Sequence, residues 1–151
     1  MADIAPAGAP DSGRTPALRL AALLLGTGVL HFVAPTPFDS IVPPQLPGKA
    51  RSYTYWSGVA EIGVGTALLV PRTRRLGGRL AALLFLAVFP ANIQFAADAV
   101  RNPKAPSILK AISVLRLPLQ WPMITSALAV SRRAPRDRRG AQRRGRRAAG
   151  T

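Results

Sequence analysis

An all-α fold, a four-helix bundle integral to a membrane, is what this sequence predicts, and three observations predict it. Apolar residues make up 48% of the 151-residue chain. The formal net charge is nonetheless +15. The two properties are segregated, with apolar residues in four blocks and arginines between the blocks and in the C-terminal tail. Long apolar blocks bounded by basic loops are the signature of membrane-spanning helices.

Composition also excludes chemistry. The chain has no cysteine, which rules out disulfides, thiol redox steps and cysteine metal sites within it. Its one histidine, His31, leaves no internal multi-histidine metal centre, and no metal ligand set is assigned. No catalytic residue is assigned either.

Residues 1–16 are rich in Ala, Pro, Gly and Asp without apolar periodicity, and read as a disordered lead. The bundle occupies 17–131, and 132–151 read as a disordered polybasic tail. The first helix runs from about Leu18 to Ala34, the length of a slightly short span. A signal peptide is the alternative, but Phe32 and Pro35 would sit at −3 and +1 of the cleavage site, both poor choices, so a retained helix is favoured. Prolines at 35, 37, 43, 44 and 47 then forbid a regular helix through 35–52. Tyr53, Tyr55 and Trp56 form an interfacial aromatic cluster where the second helix begins, and that helix reaches about Val70. Pro71 and the basic "RTRR" make a turn. The third helix spans about Leu76 to Val100 with Pro90 inside it. The fourth spans about Ile108 to Val130 with Pro118 and Pro122 inside it. The hexapeptide "RLAALL" occurs at both 19–24 and 79–84, read as coincidence in Ala/Leu-rich helices over a repeated helix pair.

Four spans put both termini on one side. Arg14, Arg19, Arg72, Arg74, Arg75, Arg79 and the nine tail arginines fall together, against Lys49, Arg51, Arg101, Lys104 and Lys110 opposite. The positive-inside rule makes that first side cytoplasmic, with Arg72, Arg74 and Arg75 as topology determinants. The expected location is a bacterial inner or plasma membrane, crossed several times.

Glu61 is the anomaly, a carboxylate deep in an apolar run. At i−4, i−3 and i+4 stand Ser57, Gly58 and Gly65, a small and polar face that lets another helix come close. Thr27 and Gly28 sit one turn before His31 and repeat the arrangement. At about 1.5 Å rise per residue, His31 lies about 6 Å from the outer helix ends and Glu61 and Asn92 about 12 Å. Arg116 falls at about 9–12 Å and Gln120 at about 15–18 Å. Polar residues of all four helices thus converge in the outer half. Arg116 is the one firm cation at that depth, so Glu61 and Arg116 are expected to face each other, with His31 and Asn92 nearby. Gln94 and Asp98 lie on a different face. Two readings of Glu61 stand: a functional site, or a clamp that only fixes helix register.

"GVLHFVAPTPFDSIVPPQLP", "YWSGVAEIGVGTALLVPRTRR", "VFPANIQ" and "RLPLQ" occur in this order. Over about 18–131 the chain resembles the DoxX-like membrane proteins of the DoxX/MauE group. The resemblance carries His31, Phe32, Glu61, Asn92 and Gln120 over as the family's motif positions. It implies a four-helix membrane protein that accompanies a membrane oxidoreductase, with a quinone as the cofactor it would meet. A small transporter or proton pathway and a purely structural membrane component are the alternatives. The tail is expected to contact anionic lipid rather than a specific nucleic acid.

Overall fold

A computed structural model describes residues 13–134. Within them the chain is all helical: α1 (Arg14–Val33), α2 (Thr36–Asp39), α3 (Ala50–Leu69), α4 (Arg74–Arg101) and α5 (Ser107–Arg133). No strand occurs among the described residues.

Proline sets the boundaries. The caps that end α1, α3, α4 and α5 are Ala34, Val70, Asn102 and Ala134, and each directly precedes a proline in the sequence. A residue before proline is pushed out of the helical region, so each helix stops there. Three boundaries differ from the sequence reading. Helix α1 begins at Arg14, so 14–16 are not part of a lead; Pro16 is compatible with a first helical turn, where no amide donor is needed. Helix α3 begins three residues early, at Ala50. Helix α5 continues through Arg132 and Arg133, which therefore do not belong to the tail. The proline-rich segment also holds one helical turn, α2, because Pro37 sits in its first turn where proline fits. The rest of the lead (1–12) and of the tail (135–151) lies outside the described residues.

Helix α1 packs chiefly on α3 and α4 chiefly on α5, with α3 against α4 and α1 against α5 closing the ring. The two "RLAALL" copies fall near the starts of α1 and α4, the first helix of each close pair. The core lies toward the end where α1 begins and α5 ends. Ala17, Leu20, Ala21 and Leu24 of α1 meet Leu68 of α3, Ala81, Ala82 and Phe85 of α4, and Ala127 and Val130 of α5. Its alanines keep the helices close and leave the larger side chains pointing outward.

Glycines set the closest approaches. A Cβ on Gly58 would lie 2.8 Å from His31 Cβ and 3.0 Å from the Gly28 carbonyl oxygen. A Cβ on Gly28 would lie 3.1 Å from the Gly58 carbonyl oxygen. The small face expected around Glu61 is thus the α1–α3 seam, with backbones in reciprocal contact. Gly65 continues it against Leu25.

Helices α1 and α4 contain windows of mean hydropathy 1.6 and 1.9, long and apolar enough to cross a membrane. Only 33% and 28% of those windows are buried. That exposure is compatible with association with a membrane.

Candidate functional site

Thr27, His31 and Glu61 meet across the α1–α3 seam. The Thr27 hydroxyl donates to Glu61 Oε2 at 2.6 Å. His31 Nδ1 lies 2.7 Å from the Thr27 carbonyl oxygen and 3.6 Å from Glu61 Oε2. Both neighbours are acceptors, so the ring proton sits on Nδ1. The side chains of His31 and Glu61 are only 8% and 13% exposed. The Gly28–Gly58 contact makes this short reach possible, because it brings the two backbones together at this level.

Above the seam lies a cavity of about 230 Å³. His31, Ser57, Glu61, Asn92 and Arg116 line it, together with Ala87, Val88 and Ala91 of α4. Four helices thus contribute. The rest of its wall comes from Tyr53 and Thr54 of α3 and from the segment after α1: Phe38, Ile41, Val42, Pro43 and Leu46. Phe38 stacks on His31 with ring centroids 3.8 Å apart. The cavity is mostly apolar, with a few convergent polar groups, which is the composition of a small-molecule site.

Asn92 is 4% exposed, and its amide nitrogen has no hydrogen-bond partner among the described residues. A buried donor left unpaired costs about 1–3 kcal/mol. Gln94, two residues on, instead donates to Asp98 at 3.0 Å, on another face as its spacing implies. Asn92 alone of the two faces the cavity.

Two expectations need correction. Glu61 and Arg116 share the cavity, but no ion pair joins them among the described residues. Glu61 takes its hydrogen bond from Thr27 on the neighbouring helix, and exposed Arg116 stays at the cavity's edge. Gln120 is not in the cavity. It is 3% exposed and donates its amide to the Phe85 carbonyl. Pro90 has no amide hydrogen to offer the Leu86 carbonyl, and Gln120 docks α5 onto α4 one residue earlier. Depth placed Gln120 with the others, but its azimuth on α5 turns it to the helix seam.

Sequence reasoning missed the anchor of the segment above the cavity. Asp39 accepts from Arg51 Nε at 2.8 Å and from the Thr54 hydroxyl at 2.6 Å. The Thr54 hydrogen bond, with Arg51 beside it, holds the Asp39 carboxyl below its usual value. The signal was present as an acidic residue in a proline-rich stretch otherwise followed by cations. Phe32, carried over by resemblance, stacks on Tyr55 at 5.3 Å outside the cavity. Arg74, grouped with Arg72 and Arg75 as a topology determinant, is 3% exposed and donates to the Leu68 carbonyl at 3.1 Å.

Residues 20–131 match the family model described as Domain of unknown function (DUF8561). The chain belongs to that family. No curated protein and no solved structure matches it. The matched stretch runs from the first turns of α1 to the end of α5, so it contains the seam, the cavity and the segment that covers it.

Proposed function

We propose that this chain is a multi-pass membrane protein of DoxX-like character, with cytoplasmic termini, whose outer-half cavity takes the headgroup of a quinone. In this reading it serves a membrane oxidoreductase as an accessory subunit. The apolar outer surface supports the membrane part. Leu83, Leu115 and Trp121 are 61%, 62% and 73% exposed, and Leu86, Ile93, Ile112 and Leu119 are exposed beside them. Such a continuous apolar exterior suits lipid and not water. Arg72, Arg75, Arg79, Arg132 and Arg133 gather at the end opposite the cavity, which the positive-inside rule makes cytoplasmic.

One observation carries the ligand reading: the unpaired, buried amide of Asn92 in a cavity shared with Glu61 and Arg116. Asn92 and Arg116 offer donors from α4 and α5, and Glu61 and His31 stand opposite on α3 and α1. A carbonyl-bearing ring satisfies this arrangement. An engineered cavity of about 150 Å³ holds benzene, so 230 Å³ suits one substituted ring. A transporter or proton path fits less well, because the core below the cavity is Leu24, Leu68, Phe85 and alanines.

The test is equilibrium binding of a short-chain ubiquinone to full-length protein in lipid nanodiscs. Saturable binding is expected, weakened about tenfold by Asn92→Leu. No saturable binding, or equal affinity in Asn92→Leu, would overturn the reading.

A further inference from the structure

The segment between α1 and α3 supplies five of the cavity's lining residues, yet it belongs to no long helix. Its directed interactions within the bundle go to two places. Phe38 stacks on His31, and everything else runs to the first turns of α3. Asp39 binds Arg51 and Thr54 there, and the Pro47 carbonyl accepts from the Tyr53 hydroxyl at 2.7 Å. No hydrogen bond among the described residues ties 35–48 to α4 or α5. On that side Ile41, Val42, Pro43 and Leu46 share the cavity lining with Ala87, Val88 and Ala91 of α4. The segment ends at Gly48, whose φ of +92° lies where side-chain-bearing residues are strained.

We propose that residues 35–48 are a lid over the cavity, latched to α3 by Asp39, and that a ligand reaches Glu61 and Asn92 from the outer side when this latch releases. The proposal deepens the ligand-site reading, since a lid matters only if something enters. Asp39 is the latch because one carboxylate makes two of the lid's three hydrogen bonds to α3 side chains, those at 51 and 54, and the third, from Tyr53 to the Pro47 carbonyl, lies at the hinge end beside Gly48. Each of its oxygens has its own donor, so replacing this one side chain releases both. The lid carries no other charged side chain between Pro35 and Gly48. With no hydrogen bond to α4 or α5 among the described residues, it can part from that side without leaving a polar group unpaired.

Access is measurable without any ligand, because the chain has no cysteine of its own. Ser57→Cys places a reporter on the cavity wall, and Ser52→Cys places one on the exposed first turn of the same helix. Both are reacted with N-ethylmaleimide in nanodiscs. With the latch intact, Cys at 57 should react at least about tenfold more slowly than Cys at 52. Adding Asp39→Ala should bring the rate at 57 up about tenfold while leaving 52 unchanged. Thr54→Val and Arg51→Gln each remove one half of the latch and should give intermediate rates. They also answer the question if Asp39→Ala does not fold. Equal rates at 57 and 52 in the latched protein, or rates at 57 within twofold across all latch variants, would overturn the proposal. Failure of ubiquinone binding would sink the ligand identity and leave these rates standing; unchanged rates beside saturable binding would sink the lid alone.

Discussion

Glu61 is held by its nearest neighbour and not by the nearest opposite charge. A hydroxyl at 2.6 Å on an adjoining helix satisfies one carboxylate oxygen directly. Arg116 lines the same cavity but forms no ion pair with Glu61 among the described residues. Double-mutant cycles separate the two partners. Thr27→Val with Glu61→Met should show a coupling of about 1–2 kcal/mol in thermal or denaturant unfolding. Glu61→Met with Arg116→Met should show less than about 0.5 kcal/mol. The reverse order would restore the ion pair that the sequence suggested. Counting residues along a helix gave the depth of Glu61, His31, Asn92 and Arg116 well enough to bring them to one cavity. It could not give reach, because 1.5 Å per residue says nothing about which side chain spans a seam. Gln120 shows the same gap: right depth, wrong direction. Asp39 stood out as the acidic residue of its stretch, but its partners could not be read, because residues 51 and 54 become its neighbours only when the proline-rich segment folds back.

At the scale of the helix, glycine position decides packing more than glycine number. Gly58 has His31, Phe32 and the Gly28 backbone within about 3 Å of where a Cβ would go. Gly26 and Gly63 have nothing within 4 Å. Gly58→Ala should therefore cost about 1–3 kcal/mol by prying α1 from α3, seen as a lower unfolding midpoint in nanodiscs. Gly26→Ala and Gly63→Ala should be neutral or stabilising by up to about 1 kcal/mol. A Gly58→Ala protein as stable as these would mean the seam is not the constraint. The Glu61-side glycines were readable from their i−3 and i+4 spacing, since small residues beside a buried carboxylate announce a helix contact. Helix ends were readable to within a few residues because prolines follow them. The early starts of α1 and α3 were not, since Pro16 and the basic stretch at 49–51 look like breaks in a hydropathy profile and are in fact tolerated in a first turn.

For the whole molecule, the testable statement is orientation. Single cysteines at Lys104 and Arg72 should separate cleanly in intact cells. An impermeant maleimide should label Lys104→Cys and leave Arg72→Cys unmodified until the membrane is opened. Labelling in the opposite sense would invert the molecule and place the cavity on the cytoplasmic side. The helical class was legible from the four apolar blocks, and in the ring each long helix lies beside its neighbour in sequence, across short connections for α3–α4 and α4–α5 and a long one for α1–α3. The cavity was not legible as a volume, because a third of its lining comes from a segment whose prolines argue against regular structure.

Arg74 gives the bundle its mechanical polarity. Its guanidinium closes the end of α3 by taking the Leu68 and Leu69 carbonyls. At the same corner a Cβ on Gly77 would lie 3.0 Å from the Ala67 and Leu68 backbone, and one on Gly78 would lie 2.7 Å from the Ala127 carbonyl oxygen. Three helices are therefore riveted where the chain has its shortest turn. The long connection lies at the other end. If the proposed ligand enters under the roof, a body fixed at one end and loosely roofed at the other should yield like a clothes-peg, with the strain taken up around the roof and fading toward the riveted corner. In the proposed membrane orientation, the basic face at that corner would then be a stationary platform against the headgroup layer, whatever the roof is doing.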